Sequence, residues 1–129
     1  MKKILVFLVV SIFILSCQKD KQTTITGTWR EISACSRDNS GEFYWSGPPK
    51  FPLVLILNED GNYSAFYDVP VGHGIYQYAA AAKQIIFTDS TTGNRNTTTV
   101  SFLDDQYLIF DYLCNRVVEY KDKFIRVNH

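Results

Sequence analysis

The feature that most constrains this chain is a succession of short β-branched and aromatic runs separated by turn residues, with no helical apolar stripe longer than two turns. Strands are expected at Gly27–Cys35, Leu53–Asn58, Tyr63–Asp68, Gly74–Ala79, Gln84–Thr88, Thr97–Leu103, Tyr107–Tyr112 and Val117–Val127. Asn58-Glu59-Asp60-Gly61-Asn62 suggests a hairpin with glycine at positive φ, Asp104-Asp105 a second tight turn, and Ala79 to Ala82 a third. Links this short imply antiparallel neighbours. Eight antiparallel strands leave two open edges unless the sheet closes, so the expected fold class is all-β, an eight-stranded antiparallel up-and-down barrel. A small β-sandwich is the alternative.

The alternation in Thr99-Val100-Ser101-Phe102 suits a strand with one buried face. In the last strand Val118, Tyr120, Phe124 and Arg126 share a face opposite Glu119, Lys121 and Lys123, although Tyr120-Lys121-Asp122-Lys123 also reads as a hairpin turn that would make nine strands. At 46% hydrophobic and 20% charged, the 129 residues can bury one core. Formal net charge is zero, so the chain lacks the basic excess that nucleic-acid binding uses, and no nucleic-acid partner is expected.

Met1-Lys2-Lys3 precedes an apolar run from Ile4 to Leu15 broken only by Ser11. As a helix this run would extend about 18 Å, against the roughly 30 Å of a bilayer core, so it reads as the hydrophobic region of a signal peptide and not as a span. It ends in Leu15-Ser16-Cys17, which resembles the cleavage box of bacterial lipoproteins. The resemblance implies a signal peptide over 1–16, a diacylglyceryl thioether and acylated amine on Cys17, and palmitate-type chains that hold the protein to a membrane. Residues 17–25 then form a lipidated polar tether and 26–129 the folded domain. Gln18-Lys19-Asp20 resembles the charged signals that carry some lipoproteins to the outer face of the outer membrane in gram-negative bacteria, so the expected location is that membrane, periplasmic or surface-exposed.

With Cys17 lipidated, Cys35 and Cys114 remain, an even number in an oxidising compartment, and a disulfide between them is expected. Two separate buried thiols or a metal pair are the alternatives, the last without nearby His and Cys ligands.

Gly27-Thr28-Trp29 is similar to the Gly-x-Trp that opens the first strand of lipocalins and related calycin barrels, and Arg126 stands where those families place an arginine over the tryptophan. The segment from Leu55 to Tyr63 also resembles small lipocalin-like lipoproteins. The resemblance covers most of residues 25–128 and implies Gly27, Trp29 and Arg126 as a structural barrel base. About 105 folded residues is short for that family, which bears on the size of any cavity.

Strand parity gathers the connections Ser36–Phe51, Val69–His73, Asp89–Asn96 and Leu113–Arg116 at the end away from Trp29. The first is the longest and carries Phe43, Tyr44 and Trp45. Two readings stand for these aromatics: a lid that contacts a ligand over the rim together with His73 and Arg95, or a plug folded into a small barrel. His73 and Arg95 also read as solvated loop residues. There is no Gly-x-Ser-x-Gly, the histidines are His73 and His129, and neither metal-ligand spacing nor a phosphate-cradling loop is present. No enzyme activity, cofactor or metal is therefore expected. The expected function is non-enzymatic binding of a small apolar or amphiphilic ligand by a lipid-anchored envelope protein, with an envelope protein–protein interaction or inhibitor module as the alternative.

Overall fold

The computed structural model describes residues 24–114 and 117–128. The expected signal peptide, Cys17 and most of the expected tether lie outside the described residues. Among the described residues nine strands occur: β1 (Gly27–Arg37), β2 (Phe43–Trp45), β3 (Val54–Leu57), β4 (Asn62–Phe66), β5 (Pro70–Ala79), β6 (Gln84–Asp89), β7 (Arg95–Leu103), β8 (Tyr107–Cys114) and β9 (Val117–Val127). Each of β3 to β9 pairs antiparallel with the next, and β1 pairs with both β3 and β9, which closes an eight-stranded barrel. The extra strand is β2. It pairs with Cys35 to Arg37 on the same edge of β1 that β3 occupies lower down, at Gly27 to Arg30.

The turns follow local chemistry. Gly61 has φ 85°, and the Asp60 carboxylate accepts from the Asn62 amide at 2.9 Å. In the β7–β8 turn the Asp104 carboxylate accepts from the backbone of Gln106 and Tyr107 at 2.7 and 2.6 Å. Hydrogen-bonded acceptors of this kind hold tight reversals at little entropic cost.

The strand expected at Val117–Val127 forms with those bounds, and the start of β5 needs correction. Tyr120 to Lys123 is not a turn: β9 runs unbroken through it, because each of these residues pairs with β1 on one side, and the segment also pairs with Ile109 to Tyr112 of β8 on the other. The ninth strand comes instead from the long first connection. β5 begins at Pro70, four positions before the expected Gly74, so His73 is a strand residue opposite Ser64 and not part of a loop.

The predicted disulfide is also overturned. Cys35 is a free, buried thiol. Its register explains why: Cys35 and Asp111 both lie opposite Lys121, so Cys114 is three residues further along β8 and two strands away. That offset is about 10 Å along and 9.6 Å across, well beyond the roughly 7 Å that a bridge allows between Cα atoms. The side chain of Cys114 lies outside the described residues.

The interior alternates with the pleat. Trp29, Leu55, Leu57, Tyr63, Tyr76, Ile85, Val100, Leu108, Phe110 and Phe124 form its packed centre. Edge-on aromatic contacts run across it, Tyr63 to Phe87 at 5.0 Å, Phe87 to Phe110 at 6.2 Å, and then a tilted pair, Phe110 to Phe124, at 5.4 Å. Such geometries add stabilisation beyond the area they bury.

The base is closed by Trp29 and Arg126. The indole is fully buried and donates from Nε1 to the Ile25 carbonyl at 2.8 Å. The Arg126 guanidinium lies 4.1 Å from the ring centroid and donates to the carbonyls of Thr24, Thr26 and Asp105. Gly27 has φ 136°, and a Cβ there would stand 2.5 Å from Arg126 Nη1. The positive φ favours glycine here, and its missing side chain lets the guanidinium cross close over that backbone.

Candidate functional site

The end away from Trp29 is open. A cavity of about 430 Å³ lies there, lined by the apolar side chains of Leu53, Leu55, Tyr63, Phe87 and Phe110 together with the polar ones of Asp89, Asn96, Thr97, Thr98 and Tyr112. The space exists because the inward positions of β4 and β5 near the mouth are small: Ala65 stands opposite Gly72, and Gly74 follows. A Cβ on Gly74 would fall 2.0 Å from the Thr88 carbonyl oxygen, so the close approach of β6 demands glycine. At Gly72 a Cβ would meet Tyr63 and Ala65 at 3.8 to 3.9 Å, which is ordinary contact. Gly72 thus leaves room without being needed by the backbone.

The wall made by β1 and β9 is polar, and a β-bulge makes it so. Pairing along β1 slips between Glu31 and Ser33, so that Glu31 stands opposite Phe124 and Ala34 opposite Asp122. Phe124 and Asp122 are successive inward residues of β9. Glu31 and Asp122 are therefore diagonal neighbours on the inner face, within reach of each other, and the small Ala34 leaves them room. On the other side Asp122 stands opposite Phe110, with the Tyr112–Tyr120 pair one step nearer the mouth, their rings 5.5 Å apart.

Both carboxyls are buried, Glu31 at 8% and Asp122 at 7% exposure. The Leu53 amide donates to Glu31 Oε2 at 3.0 Å. Burial is the main cause that lifts the Glu31 pKa above the ordinary carboxylate value; the Leu53 amide opposes it and the Asp122 charge adds to it. Burial likewise raises Asp122, against hydrogen bonds from Tyr120, Tyr112 and Glu31 that favour its charged form. The phenols respond in turn: burial first, and then Asp122, push Tyr112 and Tyr120 well above the ordinary tyrosine range. Although these donors surround it, Asp122 Oδ1 is buried with no hydrogen-bond partner. Most buried polar atoms in folded proteins are paired, so this atom calls for an explanation.

The five rim residues singled out in the sequence are not brought together at this cavity, and none of them lines it. Phe43, Tyr44 and Trp45 form β2 outside the barrel, all exposed, and are neither lid nor plug. Phe43 packs under Arg37 and Lys121, whose cationic groups lie 4.9 and 5.5 Å from its ring centroid. The reason is backbone pairing: once β3 diverges from β1 above Arg30, the upper edge of β1 is unpaired, and β2 fills it. His73 is exposed on β5 beside Asp89, whose carboxylate is held below its usual range chiefly by the backbone amides of Thr92 and Thr91. Arg95 is exposed at the start of β7, opposite Thr88.

Sequence reasoning missed Glu31 and Asp122. The available signal was an acidic residue two places after Trp29 and another two places before Phe124, both on apolar faces. In comparison with known proteins, no family model matches this chain, and no curated protein matches it.

Proposed function

We propose that this chain is a non-enzymatic, lipid-anchored envelope protein with a lipocalin-like domain that holds a small amphiphilic molecule in the open half of its barrel. The observation that carries this reading is the cavity of about 430 Å³, whose lining mixes apolar and polar side chains and includes the small residues Ala65 and Gly72. That volume falls within the range used by small-molecule sites. Exposed apolar side chains at the mouth, Tyr67, Val69, Val71, Leu113 and Val117, give an apolar ligand a path in. The anchor rests on Leu15-Ser16-Cys17, and labelling of Cys17 with a palmitate analogue tests it.

The binding test is a titration with an environment-sensitive fatty-acid probe. The wild type is expected to enhance its fluorescence, and Gly72→Leu, which puts a side chain into the mouth without straining the backbone, is expected to abolish the signal. The alanine triple variant of Phe43, Tyr44 and Trp45 is expected to bind as the wild type does, because β2 lies outside the cavity. Absence of binding by the wild type, or unchanged binding by Gly72→Leu, refutes the reading.

A further inference from the structure

We propose that the ligand carries a protonated amine, bound by the Glu31–Asp122 carboxyl pair with its apolar body in the cavity; this deepens the reading above and rests on it. Three observations converge. First, Asp122 Oδ1 is an acceptor without a donor, in a side chain that is more than nine-tenths buried on the inner face. Evolved interiors seldom leave such an atom unpaired unless something else pairs it.

Second, the pair has no counter-ion among the described residues. The ion pair formed by those residues joins Lys121 to Asp111 at 3.2 Å, and in register both face outward, away from Asp122. Arg126 is committed to the base. Glu31 feels the charge of Asp122, and Asp122 is hydrogen-bonded by the neutral phenols and by Glu31. Buried carboxylates are normally paired with a cation. An ammonium supplies both the charge and the donors, and it offers a proton to each carboxyl at once.

Third, the pair lies directly behind the cavity wall. Neither carboxyl lines the cavity, but Leu53, which does, donates its amide to Glu31, and Tyr112, which also does, hydrogen-bonds Asp122. A headgroup at the carboxyls therefore has its alkyl body beside Leu53, Leu55 and Phe110. The rings of Tyr112 and Tyr120, tilted at 42° to each other, add faces that favour a cation. A metal ion fits less well: no group of three or more metal-ligating side chains occurs among the described residues.

Octylamine, octan-1-ol and octanoate share one chain length and differ only in the headgroup. Calorimetric titration of the protein at pH 7.5 is expected to show octylamine binding about ten- to a hundredfold more tightly than octan-1-ol, the range of hydrogen bonds to a charged partner, with octanoate weakest. Asp122→Asn and Glu31→Gln should each remove that preference while leaving octan-1-ol within about threefold of its wild-type affinity. Octan-1-ol binding as tightly as octylamine, or a preference that survives in both variants, overturns the amine assignment and leaves the cavity reading standing. Failure of all three ligands to bind the wild type overturns both. Should a variant fail to fold, the wild-type ranking decides alone.

Discussion

Asp122→Asn is expected to stabilise the protein at neutral pH, an unusual direction for a substitution in a barrel interior. The wild-type carboxyl is buried with one oxygen unpaired and a second carboxyl beside it. Leaving a buried acceptor unsatisfied costs about 1–3 kcal/mol. The asparagine amide keeps the shape, carries no charge, and can donate to Glu31, so the gain at pH 7.5 should be of that size. For a domain of roughly 100 residues this corresponds to about 4–8 °C in Tm for each kcal/mol.

The pH dependence gives the expectation a second handle. Glu31 and Asp122 have folded pKa values raised above the unfolded values of 4.5 and 3.8, so the folded state binds protons more tightly than the unfolded one. Wild-type stability from this pair is therefore fully present below pH 3.8 and declines as pH rises through the raised folded values. Tyr112 and Tyr120, the other titrating groups that face the pair, stay protonated across this window, because both are shifted upward. Urea unfolding followed by circular dichroism between pH 4 and pH 8 should show the gap between variant and wild type opening as pH rises. A variant less stable than wild type at pH 7.5, by a margin that does not change toward pH 4, would show that Oδ1 is satisfied in solution and that the pair is ordinary structure.

Trp29→Ala is expected to cost about 3–5 kcal/mol in urea unfolding, since the indole is fully buried and is also the platform for Arg126. Arg126→Lys should rescue little relative to Arg126→Ala, because an ammonium on a single stem does not serve the carbonyls of Thr24, Thr26 and Asp105 together while stacking on the ring; equal stability of Arg126→Lys and wild type would refute the base geometry. Gly74→Ala is expected to destabilise by about 1–3 kcal/mol through forced separation of β5 from β6, whereas Gly72→Ala should fall within about 0.5 kcal/mol of wild type, the contrast being read in one thermal unfolding series.

The barrel was legible in the chain because its determinants are local. Turn residues such as Asp60-Gly61 and Asp104 end one strand and aim the next, and period-two alternation assigns the faces of most of β9 and of β7 as far as Val100; past it a bulge breaks the expected alternation and leaves Phe102 exposed. The aromatics at Phe43 to Trp45 showed that the long first connection was unusual, but not that they would pair with the upper edge of β1, since an unpaired edge appears only after β3 has diverged. Cys35 and Cys114 counted as a pair in sequence, yet a count carries no register. The same limit hid the carboxyl pair. Glu31 and Asp122 lie 91 positions apart in the chain and become neighbours through a single bulge and the closure of β9 on β1, so turn chemistry and alternation by themselves determined a succession of short antiparallel strands, while tertiary register alone decided that two acids would face each other beside the cavity.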